Sequence, residues 1–181
     1  MTTGAERAAQ NRPQLVEIVR RRAIPLASHD DTTTGDVAQS AAEGATVAEF
    51  PTTVEAAARS RAGGITVMMG APNLIRGGSH SGNVAAEDLA REGLLDILSS
   101  DYVPASLLMA AFQLPARVPG ITLPQAVATV TANPATTTRL HDRGRIAPGL
   151  RADLARVQLG GTAAMPVPVV RQVWREGRRI V

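Results

Sequence analysis

Residues 26–31 read Leu-Ala-Ser-His-Asp-Asp, a short apolar run that ends abruptly in side chains able to bind a ligand. Residues 98–102, Leu-Ser-Ser-Asp-Tyr, repeat this arrangement. Parallel strands of α/β proteins end in this way when they deliver side chains into a shared site. A His and an Asp at two such strand ends suggest a metal-dependent hydrolase. The alternative, that both side chains are hydrogen-bonded loop residues, stays open at this point.

The runs of apolar residues predict strands alternating with helices along most of the chain. The predicted strands are residues 24–28, 45–50, 65–69 and 94–98. The predicted helices are residues 13–22, 35–42, 54–62, 83–92, 104–114 and one that follows Thr122, interrupted at Asn133-Pro134. Four strand–helix repeats with short connections indicate a parallel sheet, either open and doubly wound or part of a (β/α)8 barrel. Because no glycine-rich phosphate fingerprint follows the first strand, a Rossmann domain is disfavoured.

The last forty residues change character. Residues 152–157 and 169–181 are predicted to be strands, the second a hairpin that turns at Glu176-Gly177. We therefore expect two units, residues 1–145 and residues 146–181. Between the third strand and the following helix, residues 70–82 are predicted to form a long polar loop rich in Gly and Ser.

Composition narrows the classes of partner. The 181 residues include no Cys, and all 19 cationic residues are Arg. No apolar run reaches membrane-spanning length, and the first residues do not resemble a signal peptide, so we expect a cytoplasmic protein with no membrane partner. With two Phe, one Tyr and one Trp, the chain lacks stacking platforms, so we expect no nucleic-acid partner.

Six segments resemble one family. Residues 27–31, 49–53, 69–73, 76–83 and 99–104 resemble the phosphonate-metabolism branch of the amidohydrolase superfamily, and residues 144–154 resemble the return segment of amidohydrolases in general. The resemblance extends from about residue 5 to the end. It implies the C-terminal half of a (β/α)8 TIM-like barrel, strands five to eight, followed by a β segment that belongs to the family's β-sandwich.

The resemblance also shows what this sequence does not contain. The first-strand metal motif of the family, the carboxylated Lys common in the superfamily and the sixth-strand His are absent, and Glu49 lies near that strand end instead. We expect the missing N-terminal half or a second copy of this chain as a partner. The strands at residues 24–28 and 94–98 are expected to be exposed edges that drive this association.

Site roles follow from the resemblance. It implies a divalent metal ion, zinc, held by His29, Asp30, Glu49 and Asp101, with Asp101 also taking the proton from the bound water. Asp31 is a further ligand, a partner of these ligands or part of an Asx turn. The substrate-binding residues are expected in the glycine-rich segment and are Asn73, Arg76, Ser79, His80 and Asn83.

The implied reaction is metal-dependent hydrolysis of a phosphorylated small molecule, a ribose 5-triphosphate bearing a methylphosphonate, to the 5-phosphate and diphosphate. Two alternatives stay open. One is a different amidohydrolase that acts on a cyclic amide or a base. The other is a non-catalytic half-barrel that acts by associating with a partner chain.

Overall fold

The computed structural model of the chain describes residues 3–79 and 81–181. In these residues the strands are β1 (Leu26–His29), β2 (Ala45–Glu49), β3 (Thr66–Gly70), β4 (Ile97–Ser99), β5 (Leu154–Gly161), β6 (Pro166–Arg175) and β7 (Arg178–Arg179). The helices are α1 (Gly4–Arg21), α2 (Thr34–Glu43), α3 (Val54–Ala62), α4 (Ala71–Arg76), α5 (Ala86–Arg91), α6 (Ser106–Arg117), α7 (Leu123–Ala128) and α8 (Ala132–Thr137). Across the described part, every helix is too short or too polar to cross a membrane.

The first four strands form one parallel sheet in the order β1-β2-β3-β4, with helices on each connection. This confirms the predicted α/β pattern of strand–helix repeats. One register row runs from His29 through Glu49 to Ile97. The neighbouring row contains Ala48 and Val67, which are buried in the hydrophobic cores beneath the helices. Because successive side chains of a strand alternate between faces, the His29 row lies on the face opposite those helices.

Local capping signals place several helices where the sequence predicts them. Helix α3 has the predicted bounds, and the Thr53 hydroxyl accepts a hydrogen bond from the backbone N–H of Ala56 at 3.0 Å. Thr122 caps α7 in the same way, because its hydroxyl accepts from the N–H of Gln125 at 3.5 Å while the Gln125 side chain accepts from the N–H of Thr122. These reciprocal bonds satisfy backbone donors that the first turn of a helix leaves free.

The prediction that the first helix begins at Pro13 is wrong. Helix α1 begins at Gly4, and Pro13 lies inside it. Thr3 and Glu6 form a capping box, in which the Thr3 hydroxyl accepts from the N–H of Glu6 and the Glu6 carboxylate accepts from the N–H of Thr3. This box starts the helix at Gly4, well before the proline at position 13.

The segment after β3 also differs from the prediction of a loop over residues 70–82. Its first half is helix α4, which buries Leu74 completely and ends at Gly77 in the left-handed conformation that favours glycine. Helix α5 begins at Ala86 and not at Asn83. Asn133 and Pro134 lie in the first turn of α8 and do not interrupt a helix.

Only one of the two predicted sheet edges is open in the described structure. Strand β4 is covered, because the N–H of Leu98 donates to the carbonyl of Thr129 at 3.1 Å and the Asn133 amide donates to the carbonyl of Asp96 at 2.8 Å. The prediction of an exposed edge at residues 94–98 is therefore wrong. Strand β1 has β2 as its single neighbour in the sheet.

The C-terminal strands form a separate antiparallel sheet in the order β5-β6-β7. The predicted turn at Glu176-Gly177 is confirmed, with both residues in left-handed conformations between β6 and β7. Strand β5 begins at Leu154 and extends to Gly161, beyond the predicted end. Strand β6 packs on α6, where the Gln113 amide donates to the carbonyl of Pro166 at 3.5 Å.

Candidate active site at the carboxyl ends of the parallel strands

A cavity of ≈ 410 Å³ opens at the carboxyl ends of the four parallel strands. All four strand ends contribute to its wall, with His29 and Asp30, Phe50 and Pro51, Met69 and Gly70, and Asp101 and Tyr102. The rest of the wall comes from α4 and the segment after it, with Asn73, Arg76, Ser79, Ser81, Asn83 and Val84. The cavity thus collects most of the polar residues that the sequence singles out, since carboxyl ends of parallel strands meet at one edge of a sheet.

His29 is the last residue of β1 and projects from its end. Its Nδ1 lies 3.0 Å from Oδ2 of Asp30, and its ring meets the ring of Phe50 edge-on with centroids 5.3 Å apart. A carboxylate at Nδ1 fixes the imidazole tautomer that carries its lone pair on Nε2, and the aromatic contact limits rotation of the ring. The His29 side chain is 57% exposed and lines the cavity.

Three strand ends turn through left-handed backbone conformations without glycine. These are Asp30 at φ 59°, Phe50 at φ 56° and Asp101 at φ 48°. Two of the turns are held by the next strand, because the N–H of Asp30 donates to the carbonyl of Glu49 at 3.0 Å and that of Phe50 to the carbonyl of Met68 at 2.9 Å. Non-glycine residues in this region are strained, and such strain clusters at functional sites.

Asp101 leans over the end of β3. An added Cβ on Gly70 would lie 3.0 Å from the Asp101 Oδ2 and 3.4 Å from its Cβ. The absence of a side chain at Gly70 is thus what admits the carboxylate at this position.

Arg76 and Tyr102 meet at the rim of the cavity. The Arg76 guanidinium donates from Nη1 to the Tyr102 hydroxyl at 2.9 Å. Ser79 and Asn83 line the same side, and the Ser79 hydroxyl accepts from the N–H of Ser81 at 3.1 Å. This side therefore presents a guanidinium, hydroxyls and an amide, groups that suit a phosphate. His80, which the sequence also assigns to substrate binding, lies outside the described residues.

Asn73 lines the cavity, but its amide is used within the fold. Its Oδ1 accepts from the N–H of Ala86 at 2.9 Å and its Nδ2 donates to the carbonyl of Val84 at 3.4 Å. Asn73 thereby caps α5 from a distance and shapes the segment before it. These bonds tie Val84 and Ala86 to helix α4.

Glu49 and Asp31 lie outside the cavity wall. Glu49 stands beside His29 in the register of the sheet and is partly buried. Asp31 is buried, and its carboxylate accepts hydrogen bonds from the hydroxyls of Ser28 at 2.6 Å and Ser40 at 3.2 Å. These bonds tie the turn after β1 to helix α2, which is a supporting role behind His29.

The loops beneath the cavity are held by further hydrogen bonds. The N–H of Thr52 donates to the carbonyl of Asp31, and the N–H of Val84 donates to the carbonyl of Thr52, both at 3.0 Å. Asp36 caps α2, and hydrogen bonds from the Thr33 backbone, the Thr33 hydroxyl and the Thr32 backbone lower the pKa of its carboxyl. The wall under His29 is therefore built from loops that support one another.

Within residues 3–79 and 81–181, no group of three or more His, Asp or Glu side chains is placed to hold a metal ion. His29, Asp30 and Asp101 reach one cavity but do not form a complete ligand set. Seven residues of the described cavity wall are not among the predicted site residues, and they include Phe50, Gly70 and Tyr102. Tyr102 follows Asp101 directly, so the motif at residues 99–104 contained the signal, whereas the role of Gly70 depends on a close approach that only the folded chain shows.

Comparison with known proteins shows similarity to amidohydrolases along nearly the whole chain. The Amidohydrolase family matches residues 5–181. The chain is 53% identical over 171 residues to the alpha-D-ribose 1-methylphosphonate 5-triphosphate diphosphatase of Escherichia coli K12, covering 94% of this chain and 44% of that protein. It is 35% identical over 104 residues to the imidazolonepropionase of Streptomyces griseus, covering 53% of this chain and 27% of that protein.

A solved enamidase of the amidohydrolase superfamily shares the fold, with a TM-score of 0.69 and 19% identity over 92% of this chain and 50% of the enamidase. This likeness supports a mixed α/β fold of the TIM-barrel type. The chain spans less than half the length of the two relatives matched by sequence and half that of the enamidase.

Proposed function

The chain belongs to the amidohydrolase family, and on that premise we propose that it supplies the C-terminal half of the active site of a metal-dependent diphosphatase. The proposed reaction is hydrolysis of α-D-ribose 1-methylphosphonate 5-triphosphate to the 5-phosphate and diphosphate. The observation that carries the proposal is 53% identity to the E. coli diphosphatase over 94% of this chain. The cavity at the strand ends, whose wall contains both carboxylates and Arg76, supports it.

In this proposal residues 1–145 are strands five to eight of a (β/α)8 barrel, and residues 146–181 are return strands of a β-sandwich. The change from a parallel to an antiparallel sheet after residue 145 supports this division. The partner is the remaining part of the barrel or a second copy of this chain. Open edge β1 and the exposed apolar side chains of Leu15, Ile18 and Ile24 beside it support an association surface there.

The residues present fit one part of a divalent metal site. We propose that His29 binds the ion through Nε2 and Asp101 through its carboxylate, with Asp30 orienting the imidazole from Nδ1. Nitrogen and carboxylate donors with such an orienting partner suit zinc. Glu49, next to His29 on the same face of the sheet, is the further candidate ligand. Because the described residues do not complete a set of three ligands, the other ligands come from the remaining part of the barrel.

A divalent ion bound here would lower the pKa of a water molecule and offset the negative charge of the phosphoryl oxygens. The residues of this chain have their own tasks. Asp101 accepts the proton of the attacking water through its carboxylate. Arg76 holds an oxygen of the triphosphate, with Ser79, His80 and Asn83 as further hydrogen-bonding groups and Asn73 holding the segment that carries Asn83.

Similarity to an imidazolonepropionase keeps a second candidate, hydrolysis of a cyclic amide. The two candidates differ in whether the Arg76 side of the cavity binds polyphosphate. The test is NMR titration of the 181-residue chain with inorganic triphosphate. We expect shifts concentrated at Gly77, Gly78, Ser79 and Gly82, reduced by Arg76→Ala. The control variant Arg59→Ala, at the exposed far end of α3, leaves them unchanged.

Shifts spread evenly over the arginines would mean general charge attraction and would exclude the polyphosphate site. The attraction at Arg76 weakens with added salt in both cases, so the location of the shifts is the decisive observation and not their salt dependence.

A further inference from the structure

Tyr102 is the one aromatic hydroxyl in the chain, and none of the roles assigned above uses it. It lies at the rim of the cavity, with 59% of its surface exposed, and directly follows Asp101. Its hydroxyl oxygen accepts the hydrogen bond from Arg76 at 2.9 Å. An exposed aromatic side chain held in place by a cation at a cavity mouth is a candidate ligand contact.

The Tyr102 hydroxyl uses its capacity to accept a hydrogen bond but not its capacity to donate one to the described part of the chain. A phenolic hydroxyl has one proton to donate and lone pairs to accept with. The Arg76 guanidinium occupies the acceptor side. Among residues 3–79 and 81–181 the Tyr102 proton has no acceptor, because the single hydrogen bond of its hydroxyl is the one from Arg76. Accepting from a cation polarises the O–H bond, so the phenol becomes a stronger donor toward an anion.

The backbone gives this donor a defined position. The left-handed conformation of Asp101 turns the chain between the two side chains. The Asp101 carboxylate lies over Gly70, whereas the Tyr102 hydroxyl lies at Arg76. An anion bound to the Arg76 guanidinium inside the cavity therefore lies next to the Tyr102 hydroxyl and is able to accept its proton in a hydrogen bond.

We propose that Tyr102 is a specificity-determining residue that donates its hydroxyl proton to a phosphoryl oxygen bound by Arg76. The ligand class is a polyphosphate group, and the inference rests on the proposed function of the same cavity. A tetrahedral phosphoryl group offers oxygens in several directions, so it is able to receive both donors. A planar carboxylate uses its two oxygens in one plane, where the guanidinium fork suffices. Tyr102 therefore favours phosphate over carboxylate anions.

The test compares two multivalent anions, inorganic triphosphate and citrate, by calorimetric titration of the 181-residue chain. Tyr102→Phe removes the hydroxyl and keeps the ring. We expect it to weaken triphosphate binding by about three- to tenfold, as befits one solvent-accessible hydrogen bond to a charged group, and citrate binding by less than about twofold. We expect Arg76→Ala to weaken the binding of both anions. In the Arg76→Ala background, Tyr102→Phe has less than about a twofold effect on triphosphate, because interacting residues are not additive.

Thermal unfolding of each variant checks that the chain remains folded, which is expected for a substitution at an exposed side chain. Unchanged triphosphate affinity in Tyr102→Phe, with a clear loss in Arg76→Ala, would overturn the inference and leave the proposed function standing. Equal losses for triphosphate and citrate in Tyr102→Phe would also overturn it. If Arg76→Ala binds triphosphate as well as the control Arg59→Ala, the proposed polyphosphate site itself is wrong, and the role of Tyr102 is excluded with it.

Discussion

Replacing Gly70 by alanine tests whether the position of the Asp101 carboxylate matters. Gly70 has φ −74° and ψ 130°, a conformation that every residue adopts, so the backbone tolerates the new side chain. The effect of the methyl group is therefore confined to what it touches. It would stand 3.0 Å from Oδ2, 3.4 Å from Cβ and 3.5 Å from Cγ of Asp101.

The size of the effect follows from these distances. Comfortable contact needs about 3.5 Å, so the carboxylate oxygen must move by about 0.5 Å. Asp101 is exposed, so the displaced carboxylate moves toward solvent. Replacing Gly by Ala at a position with a compatible backbone conformation stabilises a protein by about 0.4–1 kcal/mol, because it lowers the entropy of the unfolded chain. The free energy of unfolding should therefore change by less than about 1 kcal/mol. Since a displacement of about 1 Å at a reacting group costs about 100-fold in rate, we expect about a tenfold loss of activity.

The assay is diphosphate release from α-D-ribose 1-methylphosphonate 5-triphosphate by the chain combined with the remaining part of the E. coli relative, supplied as a separate polypeptide. Gly4→Ala is the matched control, because nothing lies within 4 Å of the added Cβ at that position. Full activity of Gly70→Ala, together with an undisplaced Asp101 carboxylate in its crystal structure, would refute the steric argument. A large loss of stability in Gly70→Ala would refute it as well.

Three further predictions concern stability and association. The Arg12 guanidinium forms an ion pair with Glu43 at 2.6 Å and lowers the pKa of the Glu43 carboxyl. The pair stabilises the fold by less than about 1 kcal/mol above pH 4.5, the usual pKa of Glu, and this stabilisation is lost as the pH falls through the lowered pKa of the folded state. Hydrogen exchange in α1 should rise over that pH range, and Glu43→Gln should remove the pH dependence. Leu89→Ala, in the buried core, should cost about 2–5 kcal/mol in chemical denaturation, while the half-exposed Leu159→Ala stays within about 1 kcal/mol, and equal costs would contradict the assigned core. Light scattering should show that the isolated chain associates at micromolar concentration and that Leu15→Glu weakens the association. A parent chain that remains monomeric over the whole concentration range would contradict the proposal that the open edge of β1 is an association surface.

Local patterns predicted the regular elements well where local forces decide them. Helix α3 follows from its Thr53 cap and apolar spacing, and the hairpin turn follows from Glu176-Gly177. Helix α4 was missed because its stability comes from burying Leu74 beneath neighbouring helices, which a short segment flanked by glycines does not reveal. The hydrogen bond that covers the edge of β4 comes from the carbonyl of Thr129. Thr129 is distant from β4 in the sequence, so local sequence patterns do not predict this contact.

The strand-end rule brought His29 and Asp101 to one cavity, because parallel strands share a carboxyl edge. The same rule did not distinguish Glu49 from the residues that line the cavity. Glu49 is the last residue of the neighbouring strand, but it lies outside the cavity wall. The contact of Asp101 with Gly70 and that of Tyr102 with Arg76 depend on the left-handed turn at Asp101. Such a turn at a non-glycine residue is costly on local grounds, so a sequence-based prediction does not include it.

We propose that His29 and the cavity around it form half of a metal-dependent diphosphatase site. The most direct measurement is zinc-dependent diphosphate release by the chain combined with the remaining part of the E. coli relative, comparing His29→Ala with His141→Ala, an exposed His outside the cavity wall. We expect diphosphate release by the parent and by His141→Ala, a loss of at least about 100-fold in His29→Ala, and no turnover by the isolated chain. Release by His29→Ala at the parent rate, or robust turnover by the isolated chain, would contradict it.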